Sequence, residues 1–287
     1  MKIICKILAF GTIALSVGGC DLTMLPEHEL SPEQYFQNES DLTLWSNQFY
    51  NDNLESADIG INDADDKIDN GLSDYITGSR NAASQTWSFS ALRKINYLLE
   101  HLDQCPDRAL ATKYEAVARF FRAYFYFEKV KRFGDVPWYD QPLKSDNPDL
   151  YKARDSREFV MSKILEDIDY AIAKLPQEQN VYSVTQWTAL ALKSRICLFE
   201  GTFRKYHGIA GHEKYLDECI KAAERFIDES PYLIYKGSST PYRDLFSSNN
   251  AISTEVILAR DYEIGLNIIH NANNYTLSNT YGMPGLN

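Results

Sequence analysis

The chain has 287 residues, with 29 Lys and Arg against 40 Asp and Glu, and a formal net charge of −11. That acid excess, with no basic stripe to neutralise phosphates, argues against a nucleic-acid partner. Five cysteines, at positions 5, 20, 105, 197 and 219, are too few for a disulfide framework, and no stretch reaches the roughly 20 apolar residues that a transmembrane helix needs.

At the N-terminus, Lys2 and Lys6 flank the start of an apolar run from Ile7 to Val17, the layout of an export signal. Leu15-Ser16-Val17-Gly18-Gly19-Cys20 follows as a lipobox, whose small residues fit a narrow peptidase site and whose thiol accepts diacylglycerol. Residues 1–19 read as a lipoprotein signal peptide, with Cys20 as the lipidated first residue of the mature chain. The blander alternative is a plain secretory signal with an incidental Cys. Each buried methylene contributes about 0.8 kcal/mol, so the two or three acyl chains on such a Cys anchor far more firmly than a single chain. Processing removes two lysines and no acid, taking the net charge to −13. Only Cys105, Cys197 and Cys219 then remain, and the last two, in apolar helical contexts, read as free buried thiols.

Helices dominate from about residue 40 to 230. Residues 21–40 read as extended, with Ser31-Pro32-Glu33-Gln34 opening one short helical turn. Leu42, Trp45 and Phe49 recur at helical spacing, and the Asp-rich stretch 51–80 reads as a long loop of the kind that carries function. Leu92, Ile95, Leu99 and Leu102 make one apolar face, stopped by Pro106. Asp107 caps a helix to about Arg132, closed by Gly134 and Pro137. Its centre, Arg119 to Phe127, is aromatic on most sides, which predicts deep burial. A further pair follows: Asp155 with Glu158 as a capping box ahead of the stripe Val160, Ile164, Ile168, Ile172, stopping before Pro176, then a helix from Thr185 to about Gly201. A fifth long helix, from about His212 to Glu229, carries Tyr215, Cys219, Ala222 and Phe226 on one face.

Ala116-x-Ala118-x-x-x-Arg122 is echoed by Ala189-x-Ala191-x-x-x-Arg195. The offset of 73 residues is about twice the ~34-residue tetratricopeptide period, which suggests helical-hairpin repeats; two independent hairpins would leave the same pattern.

The run Ala118 to Phe127, leading into Arg132-Phe133-Gly134-Asp135-Val136-Pro137, resembles the "RAxxY…FGxVP" block of the SusD/RagB family of outer-membrane nutrient-binding lipoproteins. Weaker marks fall in the family's order: Leu25-Pro26, Trp87 with Ile95-Asn96, Arg154 with Asp167 and Ala171, Ala189 to Glu200, and Tyr242-Arg243-Asp244-Leu245-Phe246 ahead of Glu255-Val256-Ile257. The resemblance implies a mainly α fold, a superhelix of tetratricopeptide-like hairpins with long irregular loops. It implies a helical-repeat domain over 20–240, with the start of a second region over 241–287 that looks truncated, since nothing after Glu255 reads as a capping helix.

Functionally, it implies a cell-surface protein of the outer membrane that captures an oligosaccharide, or less often a peptide, and delivers it to a SusC-like TonB-dependent transporter. No enzyme activity, cofactor or metal is implied. The family's binding surface maps onto 69–87, where Tyr75 and Trp87 would stack on sugar rings and Arg80 and Asn81 would hydrogen-bond hydroxyls; alternatively Trp87 simply staples a helix start. The acidic run Asp63 to Gly71 lacks the glycine and bidentate glutamate of a calcium loop and reads as a solvated loop. Two other readings stand beside this one. A surface glycoside hydrolase would need a carboxylate pair that no motif singles out, and a helical-repeat scaffold lipoprotein is compatible with the hairpins alone.

Overall fold

The computed structural model describes residues 35–54, 77–79, 87–263 and 265. The expected lipobox with Cys20, the turn at Ser31 and the run 63–71 lie outside the described residues. The described chain is mainly α-helical: α1 (Glu39–Asn53), α2 (Ser90–His101), α3 (Arg108–Phe133), α4 (Arg157–Lys174), α5 (Gln186–Tyr206), α6 (His212–Glu229) and the short α7 (Pro241–Ser247). Among the described residues, none of these helices is long and apolar enough to cross a membrane.

Successive long helices run antiparallel, as their side-chain pairs show. Phe89 and Asn96 at the start and middle of α2 meet Phe125 and Arg122 of α3. Glu115 and Arg122 of α3 meet Tyr170 and Asp167 of α4. Arg157 of α4 meets Glu200 of α5, and Lys193 of α5 meets Glu218 of α6. Helix α1 lies against both α2 and α3, with Phe49 edge-on to Phe121 and Trp45 donating its indole N–H to the Lys94 carbonyl at 3.0 Å. Phe36, just before α1, holds a left-handed backbone (φ 68°) that costs a non-glycine residue about 1–2 kcal/mol. Full burial of its ring among Tyr35, Trp45, Tyr97 and His101 offsets that cost.

The aromatic helix is the core, as its composition predicts. Phe120, Phe121, Phe125, Tyr126 and Phe127 are all buried in α3, as is the stripe of α4; of the stripe expected for α2, Leu92, Ile95 and Leu102 are buried, whereas Leu99 is half-buried and Leu98 is buried beside it. Its ends follow the expected chemistry. The Asp107 carboxylate accepts the N–H groups of Ala109 and Leu110 at 2.9 and 3.1 Å. Gly134 closes the other end at φ 70°, its N–H donating to the Val130 carbonyl. The thiols of Cys105, Cys197 and Cys219 are free, and burial pushes Cys197 up to about 12, which keeps it protonated and inert at neutral pH.

Two expectations are corrected. The cap of α4 is Ser156, whose hydroxyl accepts the Phe159 N–H at 3.3 Å; Asp155 and Glu158 form no capping box. Asp155 is engaged across an antiparallel bridge with Val136, where its carboxylate accepts the Trp138 N–H at 2.7 Å, and Glu158 reaches Arg204 instead. Helix α5 runs on to Tyr206, past Gly201. There Gly201 serves close packing, since a Cβ would lie 2.7 Å from Leu216 Cδ2 of α6. The two arginines of the alanine-arginine echo differ in setting: Arg122 is buried on Asp167, whereas Arg195 is exposed.

Candidate functional site

Residues 134–156 form no regular element beyond one 3-10 turn, Pro148–Tyr151, yet the segment is firmly held. The hold comes from polar groups that α2, α3 and α4 bury. Arg122 donates from Nε and Nη2 to Asp167 at 2.6 and 2.8 Å, and from Nη1 to Asn96 Oδ1 at 3.4 Å. Burial works against the Arg122 charge, but the hydrogen bonds and attraction of Asp167 outweigh it and raise the guanidinium pKa above its ordinary value. Asn96, with its oxygen taken by Arg122, turns its amide nitrogen to the carbonyls of Tyr139 (2.9 Å) and Gln141 (3.4 Å). The Tyr126 hydroxyl accepts the Tyr139 N–H at 2.6 Å and lies 3.2 Å from the Pro137 carbonyl, to which it donates. Its ring stacks on Trp138 at 4.2 Å, and burial raises its pKa far above the usual tyrosine range.

Lys152 and Asp155 fasten the far end. Lys152 donates to the Trp138 carbonyl at 2.7 Å and pairs with Asp155 at 2.9 Å. Burial pushes the Asp155 carboxyl up, but the Trp138 N–H and Lys152 together more than offset this and leave it below the usual range. The Arg157 N–H, an orphan donor of the first turn of α4, is taken by Asp135 Oδ1 at 2.7 Å.

Between this segment and the start of α2 lies an open cleft of about 580 Å³, within the ~300–1,000 Å³ span of small-ligand sites. Its walls carry the rings of Trp87, Phe89 and Tyr139 beside Leu150. Polar side chains from three separate stretches reach it: Ser90 and Arg93 from α2, Gln141 from the middle of the loop, and Lys152 and Arg154 from its end. Trp87 is 42% exposed. It packs edge-on against Phe133 (4.8 Å) and Phe89 (5.3 Å), and the Arg154 guanidinium lies 4.8 Å from its ring centre. Helix start and cleft wall thus meet in one side chain.

Of the residues expected to bind ligand, Trp87 lines this cleft, while Tyr75, Arg80 and Asn81 lie outside the described residues. Phe89, Arg93, Tyr139, Gln141 and Lys152 were not anticipated. Arg154 stood out only as a family mark, and no periodicity distinguishes a loop residue that faces a cleft from one that faces water. Among the described residues, no group of three His, Cys, Asp or Glu converges as a metal-ligand set.

The comparisons with known proteins agree with this architecture. A SusD-like family model, described as starch-binding associating with outer membrane, matches residues 30–198. SusD-like protein P25 of Formosa agariphila is 23% identical over 269 residues, covering 83% of this chain and 47% of that protein. The crystal structure of a SusD homologue from Bacteroides thetaiotaomicron superposes with a TM-score of 0.67 at 22% identity, over 81% of this chain and 48% of that one. A crystal structure with a xylogluco-oligosaccharide superposes with a TM-score of 0.55 at 20% identity, over 81% and 46% of the two chains. The chain spans about half the length of the curated relatives it matches. With a family match over more than half its length and the family's helical fold, the chain belongs to the SusD-like family of starch-binding proteins associated with the outer membrane.

Proposed function

We propose that this protein is a cell-surface glycan-binding lipoprotein, anchored in the outer membrane through Cys20, that captures oligosaccharide and delivers it to a SusC-like TonB-dependent transporter. On this reading residues 1–19 are the signal peptide, 20–240 the tetratricopeptide-like helical domain and 241–287 the start of a second region. The antiparallel stacking of successive helices supports the repeat ancestry.

The observation that carries the binding reading is the cleft itself. It sets aromatic faces beside amide and guanidinium donors on a braced wall, the combination that grips a sugar ring by its apolar face and its hydroxyls. The neighbour bound to a xylogluco-oligosaccharide supports a glycan over a peptide as the ligand. Tyr75, Arg80 and Asn81 would extend the surface from the neighbouring stretch of sequence.

Calorimetric titration of the intact protein with a panel of oligosaccharides, with product analysis of the same mixtures, tests this. Binding without cleavage is the expected result, and Trp87→Ala should weaken it several-fold by removing a ring that stacks. Release of shortened sugars would move the protein to the hydrolases, and failure to bind any glycan would favour the scaffold reading.

A further inference from the structure

Resting on the glycan-capture reading, we infer that the ligand of this cleft is an anionic oligosaccharide, one bearing carboxylate or sulfate groups. A neutral sugar offers hydroxyls that both donate and accept, so a site for it supplies donors and acceptors alike. Here several backbone carbonyls of the braced segment are already engaged from within the protein, and the acceptors that remain are neutral, chiefly the side-chain oxygens of Ser90, Tyr139 and Gln141. The carbonyl of Trp138 takes Lys152, those of Tyr139 and Gln141 take Asn96, and that of Leu143 takes Arg93. The remaining charged capacity is entirely donor.

Among the described lining residues, Arg93, Lys152 and Arg154 are cations and none is a carboxylate. Lys152 is balanced by Asp155, which lies just behind the wall. Arg93 and Arg154 make no ion pair among the described residues. Arg93 touches a carbonyl, and Arg154 approaches the Asp135 carbonyl at 3.5 Å while covering Trp87. Arg119, Arg122, Arg157, Arg204 and Arg225 sit on carboxylates, and the other arginines without an ion pair among the described residues, Arg108, Arg132, Arg195, Arg243 and Arg260, line no part of this cleft.

Two guanidiniums without a carboxylate partner give the cleft a cationic lining in a chain of net charge −11. Exposed Asp135, Asp140, Asp146 and Asp149 lie on the same loop but outside the lining, with Asp149 near enough to act on Tyr139. A guanidinium fork matches a carboxylate or sulfate with two parallel hydrogen bonds, and the apolar walls of Trp87, Phe89 and Leu150 lower the local dielectric that would otherwise screen the pairing. Arg154, poised over the Trp87 ring, is placed to hold the acidic group of a sugar stacked beside it.

Calorimetry on the intact protein decides the matter with three probes of matched length: an oligogalacturonate, a sulfated galacto-oligosaccharide and a neutral β-glucan oligosaccharide. At least one acidic probe should bind about tenfold or more tighter than the neutral one, the worth of one charge-assisted hydrogen bond. That advantage should shrink as NaCl rises. Which acidic probe wins separates carboxylate from sulfate. Arg154→Gln should narrow the acidic-to-neutral ratio and Arg154→Lys should restore part of it, with thermal melts establishing that each variant is folded. Should Arg154→Gln fail to fold, the ratio and its salt dependence in the intact protein decide alone. A neutral probe that binds equally or more tightly overturns this inference and leaves glycan capture standing. If none of the three binds, this inference falls, and glycan capture is decided by the wider oligosaccharide panel.

Discussion

Helices α3 and α6 are both long, charged and aromatic, yet thirteen of the 26 residues of α3 are buried and only Tyr215 and Ala222 are buried among the 18 of α6. In α3 apolar side chains surround the axis, so the helix sits among α1, α2, α4 and the loop 134–156, and its polar groups must find partners inside. Arg122 and Tyr126 do so, and those partners are the braces of the cleft. In α6 a single stripe packs on α5, Ile220 and Ile227 stand 53% and 74% exposed, and the charges meet at the surface. The difference teaches that the buried polar groups of α3 tie stability to the site, whereas the surface pairs of α6 do not.

The comparison breaks first at Arg122. Arg122→Met strands the Asp167 carboxylate in the core with only Arg119 at 3.6 Å to answer it, and should cost about 3–5 kcal/mol in urea denaturation. Adding Asp167→Leu should return much of that loss, because an apolar pair carries no desolvation penalty. If the single variant costs under about 1 kcal/mol, the buried pair is not what orders this region.

Tyr126→Phe probes the link to the site. It keeps the stacked ring but leaves the half-buried Tyr139 N–H without its acceptor, at a cost of about 1–2 kcal/mol. Glycan affinity should fall with it, because Tyr139 lines the cleft. Unchanged affinity in a destabilised protein would uncouple fold from site.

On α6 the expected effects are small. Lys193 and Lys221 hold Glu218 down to about 2 from an ordinary 4.5. Its contribution is therefore complete above pH 4.5 and lost as pH falls toward 2. Glu218 is partly exposed and Lys193 keeps Asp169 at 2.8 Å as a second partner, so Glu218→Gln should lower neutral-pH stability by only about 1 kcal/mol, the difference vanishing in acid melts. Ile227→Ser, on the outward face, should stay within about 0.5 kcal/mol of the parent. A large loss there would mean that this face is covered in the intact protein.

Most of the helical frame was legible in sequence because its determinants are local. Asp107 and Gly134 act on donors and acceptors within four residues, and the stripes of α2 and α4 follow from the helical period alone. Reading Asp155 as a cap failed for the converse reason: its carboxylate answers Trp138, 17 residues away, and Ser156 takes the local role. Gly201 misled in the same manner, since a mid-helix glycine becomes informative only once Leu216 lies against it.

The amino-acid sequence by itself determined that this chain is helical, where α3 begins and ends, that its aromatic centre is the core, and which family block it carries. Tertiary structure alone decided what that block does. Arg122, Tyr126 and Asn96 brace a loop, Asn96 from within the cleft wall, and Trp87, Arg93 and Arg154 come together only because that loop is held against the start of α2. Caps and stripes are set by backbone bonds and periods a few residues long. A cleft, in contrast, is set by hydrogen bonds such as Asn96 to Tyr139, 43 residues apart, whose formation depends on the packing of every helix between them.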